Sequence, residues 1–106
     1  MSNSFYITTP IYYVNDIPHI GHAYTTILAD VLSRYQKQVG NRPFFLTGLD
    51  EHGQKVQDAA KDRGVERQDH CDEMSKRFIS LWERLHISND DFIRTTEIRH
   101  KNVVRE

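Results

Sequence analysis

The spacing of apolar and polar residues changes several times along this chain, and each change marks a predicted element. Phe5-Tyr6-Ile7-Thr8-Thr9 is a short aromatic and β-branched run stopped by Pro10, which predicts a buried first strand. Pro10 to Pro18 reads as an ordered loop. Its residues Ile11, Tyr12, Tyr13 and Val14 are too apolar for a surface link, so they either plug the core or wall a small apolar pocket. From Ile20 the apolar positions Ile20, Ala23, Tyr24, Ile27, Leu28, Val31, Leu32, Tyr35 and Val39 recur at helical spacing, and Gly40 supplies the C-terminal cap. Asp30, Arg34, Lys37 and Gln38 lie off this stripe and read as a solvated face. Asn41-Arg42-Pro43 turns the chain into Phe44-Phe45-Leu46-Thr47-Gly48, an apolar run of strand length.

Strand, long helix and buried strand make a βαβ unit, with parallel strands and a right-handed crossover expected. Beyond it, residues 54–63 predict a helix with Val56, Ala59 and Ala60 inward and Gly64 at its end. A longer helix is expected over 69–85, burying Cys71, Met74, Phe78, Leu81, Trp82 and Leu85. Ser88-Asn89-Asp90-Asp91 is a turn, residues 92–95 a further strand, and Thr96 a candidate cap for a last helix over 97–106. Beyond Ile98 in its first turn, Val103 and Val104 are the only strong apolar residues of that helix, so its end reads as cut.

Composition narrows the class. With 106 residues, 38% hydrophobic and 27% charged, the chain is at most one soluble domain, short for an enzyme with two substrates. Fourteen basic against fifteen acidic residues give a net charge of −1, so no overall basic field draws in a polyanion. The single cysteine, Cys71, excludes an internal disulfide and reads as a small buried hydrophobe. The N-terminus has no basic leader, no apolar run is long enough to span a membrane, and a cytoplasmic location is expected.

The candidate chemistry lies at His19-Ile20-Gly21-His22, the start of the long helix. Two imidazoles three positions apart share a helix face, and Gly21 between them allows close backbone approach where the helix dipole favours an anion. Across the parallel sheet, Gly48-Leu49-Asp50-Glu51-His52-Gly53 ends the second strand on the edge where ligands bind. His19, His22, Asp50 and His52 therefore suit phosphate binding, or a zinc site of imidazoles and carboxylates, or mere capping and core polar roles. Gly21 favours phosphate over metal, and Asp50 facing an apolar pocket suits an ammonium group. Amino acid and nucleotide side by side is the reading these features share.

The His19-Ile20-Gly21-His22 block after a strand resembles the H-I-G-H signature of class I aminoacyl-tRNA synthetases. With Thr8-Thr9-Pro10-Ile11-Tyr12-Tyr13-Val14-Asn15, Gly48 to Lys55, Ile87-Ser88 and Asp91 to Thr96, the chain is similar to the bacterial methionyl-tRNA synthetases over nearly its whole length. The resemblance implies an α/β fold with a Rossmann-like parallel sheet, the N-terminal half only of the HUP-type class I synthetase catalytic fold. Residues 1–106 would be the N-terminal portion of the nucleotide-binding catalytic domain, leading into the connective insertion, with the remaining domains absent. It implies ATP-dependent activation of L-methionine and transfer to tRNA(Met), with ATP accompanied by Mg2+ and zinc only beyond residue 106. His19 and His22 would be catalytic and, with Gly21, bind ATP, Gly21 leaving room for the adenine and ribose. Pro10, Ile11 and Tyr13 would line the methionine site and Asp50 hold its ammonium, whereas Glu51 and His52 carry no assigned role. Leu49 stands where the family often has threonine, and the lysine-rich K-M-S-K-S loop and the anticodon-binding domain are not in these residues, so the chain alone is expected to be inactive. The rival classes are a small H-x-G-H nucleotidyltransferase and a noncatalytic nucleotide or amino-acid binding module.

Overall fold

The computed structural model of the chain describes residues 2–106. Its elements run β1 (Ser4–Thr8), β2 (Tyr12–Tyr13), α1 (Ile20–Gln38), β3 (Arg42–Asp50), α2 (Gln54–Asp62), α3 (Arg67–Arg84), β4 (Asp91–Arg94) and α4 (Ile98–Arg105). All strand pairs are parallel and all involve β3. β1 pairs with the first half of β3, Ser4 opposite Arg42 through Thr8 opposite Leu46. β2 resumes the pairing further along, Tyr12 opposite Leu49 and Tyr13 opposite Asp50, so the loop predicted from Pro10 contains a short strand of its own. β4 pairs with β3 over Leu46 to Leu49. A buried hydrogen bond between the Thr9 and Thr47 hydroxyls, 2.6 Å, fixes the end of β1 to β3.

The close approach of β4 explains one glycine. A Cβ on Gly48 would lie 2.1 Å from the Ile93 carbonyl oxygen, so any side chain there would push the two strands apart.

The main core joins Tyr12, Val14, Leu49, Val56, Cys71, Met74, Phe78 and Trp82 from β2 and its flank, β3, α2 and α3. The expected inward residues of α2 and α3 are therefore largely where periodicity places them. Leu85 differs: it follows the last turn of α3 and is exposed.

Three further expectations change. β1 is only half-buried: its residues are alternately exposed, and Tyr6 stacks at 6.0 Å on its exposed register partner Phe44 on a face of the sheet left open among the described residues. α1 packs on β3 and β1, but the residues it buries are Thr26, Ala29, Asp30 and Ser33, while Ile20, Tyr24, Leu28 and Val31 are exposed. Asp30 is thus not on a solvated face. It accepts hydrogen bonds from the Ser88 backbone N–H, 2.7 Å, from the Ser88 hydroxyl and from Arg34 Nε, 2.9 Å. The short polar face of α1 is inward because it is hydrogen-bonded there, Thr26 to Tyr12 and Asp30 to the α3–β4 connection. Thr96 does not cap α4. Glu97 is its N-cap residue, and the Thr96 hydroxyl donates to Glu51 instead.

Candidate active site

The N-terminus of α1 is closed by its own histidines. His19 is the N-cap, and its Nδ1 accepts the Gly21 N–H at 3.0 Å. His22 reaches back, its Nδ1 accepting the His19 N–H at 3.0 Å. This is a capping box built from two imidazoles in place of the usual hydroxyl and carboxamide or carboxylate. It also fixes their tautomers: a neutral imidazole that accepts at Nδ1 carries its proton on Nε2. Each ring therefore retains one N–H donor that the helix does not use, and the rings stack with centroids 3.8 Å apart.

Capping and phosphate binding are thus compatible roles for different ring nitrogens. Burial, then the proximity of His19, lowers the pKa of His22, which favours its neutral form. Tyr12 and Phe78 hold the His22 ring at centroid distances of 4.7 and 5.1 Å. Gly21 has a nearer steric purpose than room for a nucleotide: a Cβ there would lie 2.8 Å from His19 Cε1.

The apolar stretch between Pro10 and Pro18 divides its residues by strand alternation. Tyr12 and Val14 enter the core, Tyr12 bonding Thr26 at 2.9 Å, whereas Ile11 and Tyr13 are exposed. Ile11 and Tyr13 line a cleft of about 370 Å³ with Tyr12, Asn15, Asp16, Ile17, His19 and His22, within the range of small-molecule sites. Pro10 is exposed and is not among the lining residues. Val14 goes to the core, Tyr12 serves both core and cleft, and the cleft is lined by polar as well as apolar residues.

Asp50 ends β3 directly opposite Tyr13, on the carboxyl edge of the sheet, and like Pro10 is not among the residues that line the cleft. Its Oδ1 accepts the His52 N–H at 3.0 Å. The His52 ring turns to the Thr95 carbonyl, 3.1 Å, and does not line the cleft with His19 and His22. Among the described residues, no three of His, Cys, Asp and Glu gather to hold a metal.

Glu51 is fully buried, and Arg94 grips both its oxygens from Nε, at 3.1 and 3.0 Å. Arg94 Nη2 also bonds Asp72, 2.6 Å. Burial alone would lower the Arg94 pKa, but the bonds to Asp72 and Glu51 outweigh it and the pKa is raised. The Arg94 bond, then Gln68, holds Asp72 below the usual carboxylate range.

Sequence reasoning missed His70, buried on α3, whose Nε2 lies 2.6 Å from the Val14 carbonyl while Arg63 lies 2.7 Å from Nδ1. The signal was its place four and eight residues before the core residues Met74 and Phe78.

Residues 5–106 match the family model of the tRNA synthetases class I (M). The chain is 58% identical over 104 residues to the methionine-tRNA ligase of Rickettsia bellii, covering 98% of this chain and 20% of that protein. It is 58% identical over 102 residues to that of Thermotoga maritima, covering 96% and 16% respectively. A solved structure of Mycobacterium tuberculosis methionyl-tRNA synthetase in complex with methionyl-adenylate superposes with a TM-score of 0.93 and 42% identity, over 94% of this chain and 20% of that one. The chain thus spans 16% to 20% of the length of these relatives.

Proposed function

The chain belongs to the class I tRNA synthetases (M), and from that membership we propose that it supplies the N-terminal part of a methionine-activating catalytic domain, leading into a connective insertion. The observation that carries the reading is the cleft lined by Ile11, Tyr13, His19 and His22, with Asp50 ending β3 opposite Tyr13. In this reading L-methionine lies with its thioether against Ile11 and Tyr13, near Pro10, and its ammonium on Asp50. ATP, entering with Mg2+ as its counter-ion, lies over Gly21 with its phosphates toward the two Nε2–H groups.

The methionine carboxylate oxygen attacks the α-phosphorus, and the bond from that phosphorus to the oxygen bridging to the β-phosphate breaks. Pyrophosphate leaves with the electron pair, and methionyl-adenylate remains. Negative charge grows on the α-phosphate oxygens during the attack, and hydrogen bonds from His19 and His22 strengthen as it grows. The lowered His22 pKa suits this role, because a neutral imidazole still donates from Nε2 without itself needing a proton from solvent. The second step, methionyl transfer to the terminal adenosine of tRNA(Met), belongs to a longer chain. The exposed apolar stripe of α1 supports that view, since burying Ile20, Tyr24, Leu28 and Val31 requires further protein. Among the described residues no helix is long and apolar enough to cross a membrane.

The test is a grafted enzyme in which residues 1–106 replace the matching N-terminal segment of the Thermotoga maritima ligase. Incubated with ATP and L-methionine, it is expected to release pyrophosphate and accumulate methionyl-adenylate. Ligand binding without adenylate would instead identify a noncatalytic module, and adenylylation of a phosphorylated acceptor a nucleotidyltransferase.

A further inference from the structure

Asp50 has little of its own to hold it in place. It sits at the last position of β3, half-buried, and its one hydrogen bond is to the His52 amide two residues on. The next residue is the opposite. Glu51 is a carboxylate with no exposed surface, and a charge buried that deeply is costly unless it is paired and hydrogen-bonded. It has both: Arg94 bonds both oxygens, the Thr96 hydroxyl donates to Oε1, and its own backbone N–H is held by the Thr95 hydroxyl at 2.8 Å. Arg94 is itself anchored to Asp72 on α3. His52 closes the other flank through the Thr95 carbonyl.

Asp50 is thus followed by two residues that are held from outside the segment, and the side-chain ties to Glu51 and His52 come from the three consecutive residues 94–96 at the end of β4. The pairing also occupies Arg94. Its strong partners are Glu51 and Asp72.

We propose that Glu51 and Arg94 are positioning residues for amino-acid recognition, fixing the Asp50 carboxylate where it meets the α-ammonium of the substrate. The pair acts through Asp50 and touches no substrate. This rests on the adenylation reading above, in which Asp50 is the ammonium site. A carboxylate displaced by a fraction of an ångström loses orientation for a charged ligand, and such misplacement costs about 10- to 100-fold in rate.

The experiment uses the grafted enzyme and measures kcat/KM for L-methionine in pyrophosphate exchange, with the melting temperature recorded for each variant. Glu51→Gln keeps the volume and removes the charge. It is expected to lower kcat/KM about tenfold in an Asp50 background and to add nothing in an Asp50→Asn background, because the two act as one unit. Binding of the hydroxy analogue of methionine, which lacks the ammonium, is expected to stay within about twofold of the unsubstituted enzyme. Arg94→Lys, which retains the charge, is expected to recover part of the activity lost in Arg94→Met. Should Glu51→Gln lower methionine and hydroxy-analogue binding equally, or multiply with Asp50→Asn, Glu51 is a structural residue only and the inference fails. An unsubstituted grafted enzyme that forms no methionyl-adenylate would overturn the adenylation reading itself, and the inference with it.

Discussion

Gly21→Ala separates the two reasons a glycine stands between the histidines. An ideal Cβ at this position lies 2.8 Å from Cε1 and 3.1 Å from Nδ1 of His19, whereas carbon atoms in ordinary contact are about 3.5 to 4.0 Å apart. The imidazole must therefore swing outward by several tenths of an ångström. That breaks the 3.0 Å bond from the Gly21 N–H, one half of the imidazole capping box, and unstacks His19 from His22. Loss of an N-cap interaction costs about 1 kcal/mol. Replacing glycine by alanine inside a helix returns up to about 1 kcal/mol, less in the first turn. The expected net change in the stability of the 106-residue chain, from urea denaturation, is thus a destabilisation between about zero and 1 kcal/mol. Methionine-dependent pyrophosphate exchange in the grafted enzyme is expected to fall about 10- to 100-fold, because the displaced ring no longer presents its Nε2–H in register with that of His22. A variant stabilised by about 1 kcal/mol with unchanged exchange would refute the reasoning, since alanine would then be acting as at any exposed helical site.

The buried face of α1 makes a further test. Asp30→Ala leaves the Ser88 N–H without an acceptor and is expected to cost about 2 to 3 kcal/mol in urea denaturation, which a solvent-facing aspartate would not. For Asp30, burial raises the pKa, but the Ser88 and Arg34 hydrogen bonds outweigh it and the net shift is downward. Its contribution to stability is therefore complete above the unfolded aspartate value of about 3.9 and lost as pH falls through the lower folded value, so Asp30→Asn is expected to flatten the acid limb of the stability curve below about pH 4. Cys71, fully buried and with its thiol pushed up to about 11 by burial and then by Glu51, is expected to stay unreactive toward a disulfide reagent at pH 8 until urea unfolds the chain. Leu28→Glu on the exposed stripe is expected to change the stability of the 106-residue chain by less than about 0.5 kcal/mol, while preventing the grafted enzyme from folding to an active form; equal tolerance in both proteins would contradict burial of this stripe in a longer chain.

The elements were legible in the sequence because each has a local period of its own. The three long helices and the central strand lie within a few residues of their predicted bounds, and the H-x-G-H helix start lies where Pro18 and the following stripe put it. The inward face of α1 was not legible. A pattern shows that a helix has an apolar side, but not whether a neighbour covers it, and here Ile20, Tyr24, Leu28 and Val31 stay exposed. Thr26 and Asp30 were readable only as polar spacing, since their partners Tyr12 and Ser88 are 14 and 58 residues away in the chain. Glu51 escaped for the same reason: its meaning is Arg94, 43 residues later in the chain. Asp50, Ile11 and Tyr13 were accessible early because strand ends and strand alternation are local rules; Ile11 and Tyr13 line the cleft, and Asp50 ends β3 opposite Tyr13.

In the proposed reaction a neutral His22 imidazole acts from Nε2 at a growing phosphate charge, beside a methionine held at Ile11, Tyr13 and Asp50. Single-turnover adenylate formation in the grafted enzyme, with and without His22→Ala, tests this directly. The account predicts rapid methionyl-adenylate formation by the unsubstituted enzyme and a loss of about 100-fold or more in His22→Ala, the size of an oxyanion-type donor, with methionine affinity held within about twofold. An adenylation rate that survives the substitution would contradict it.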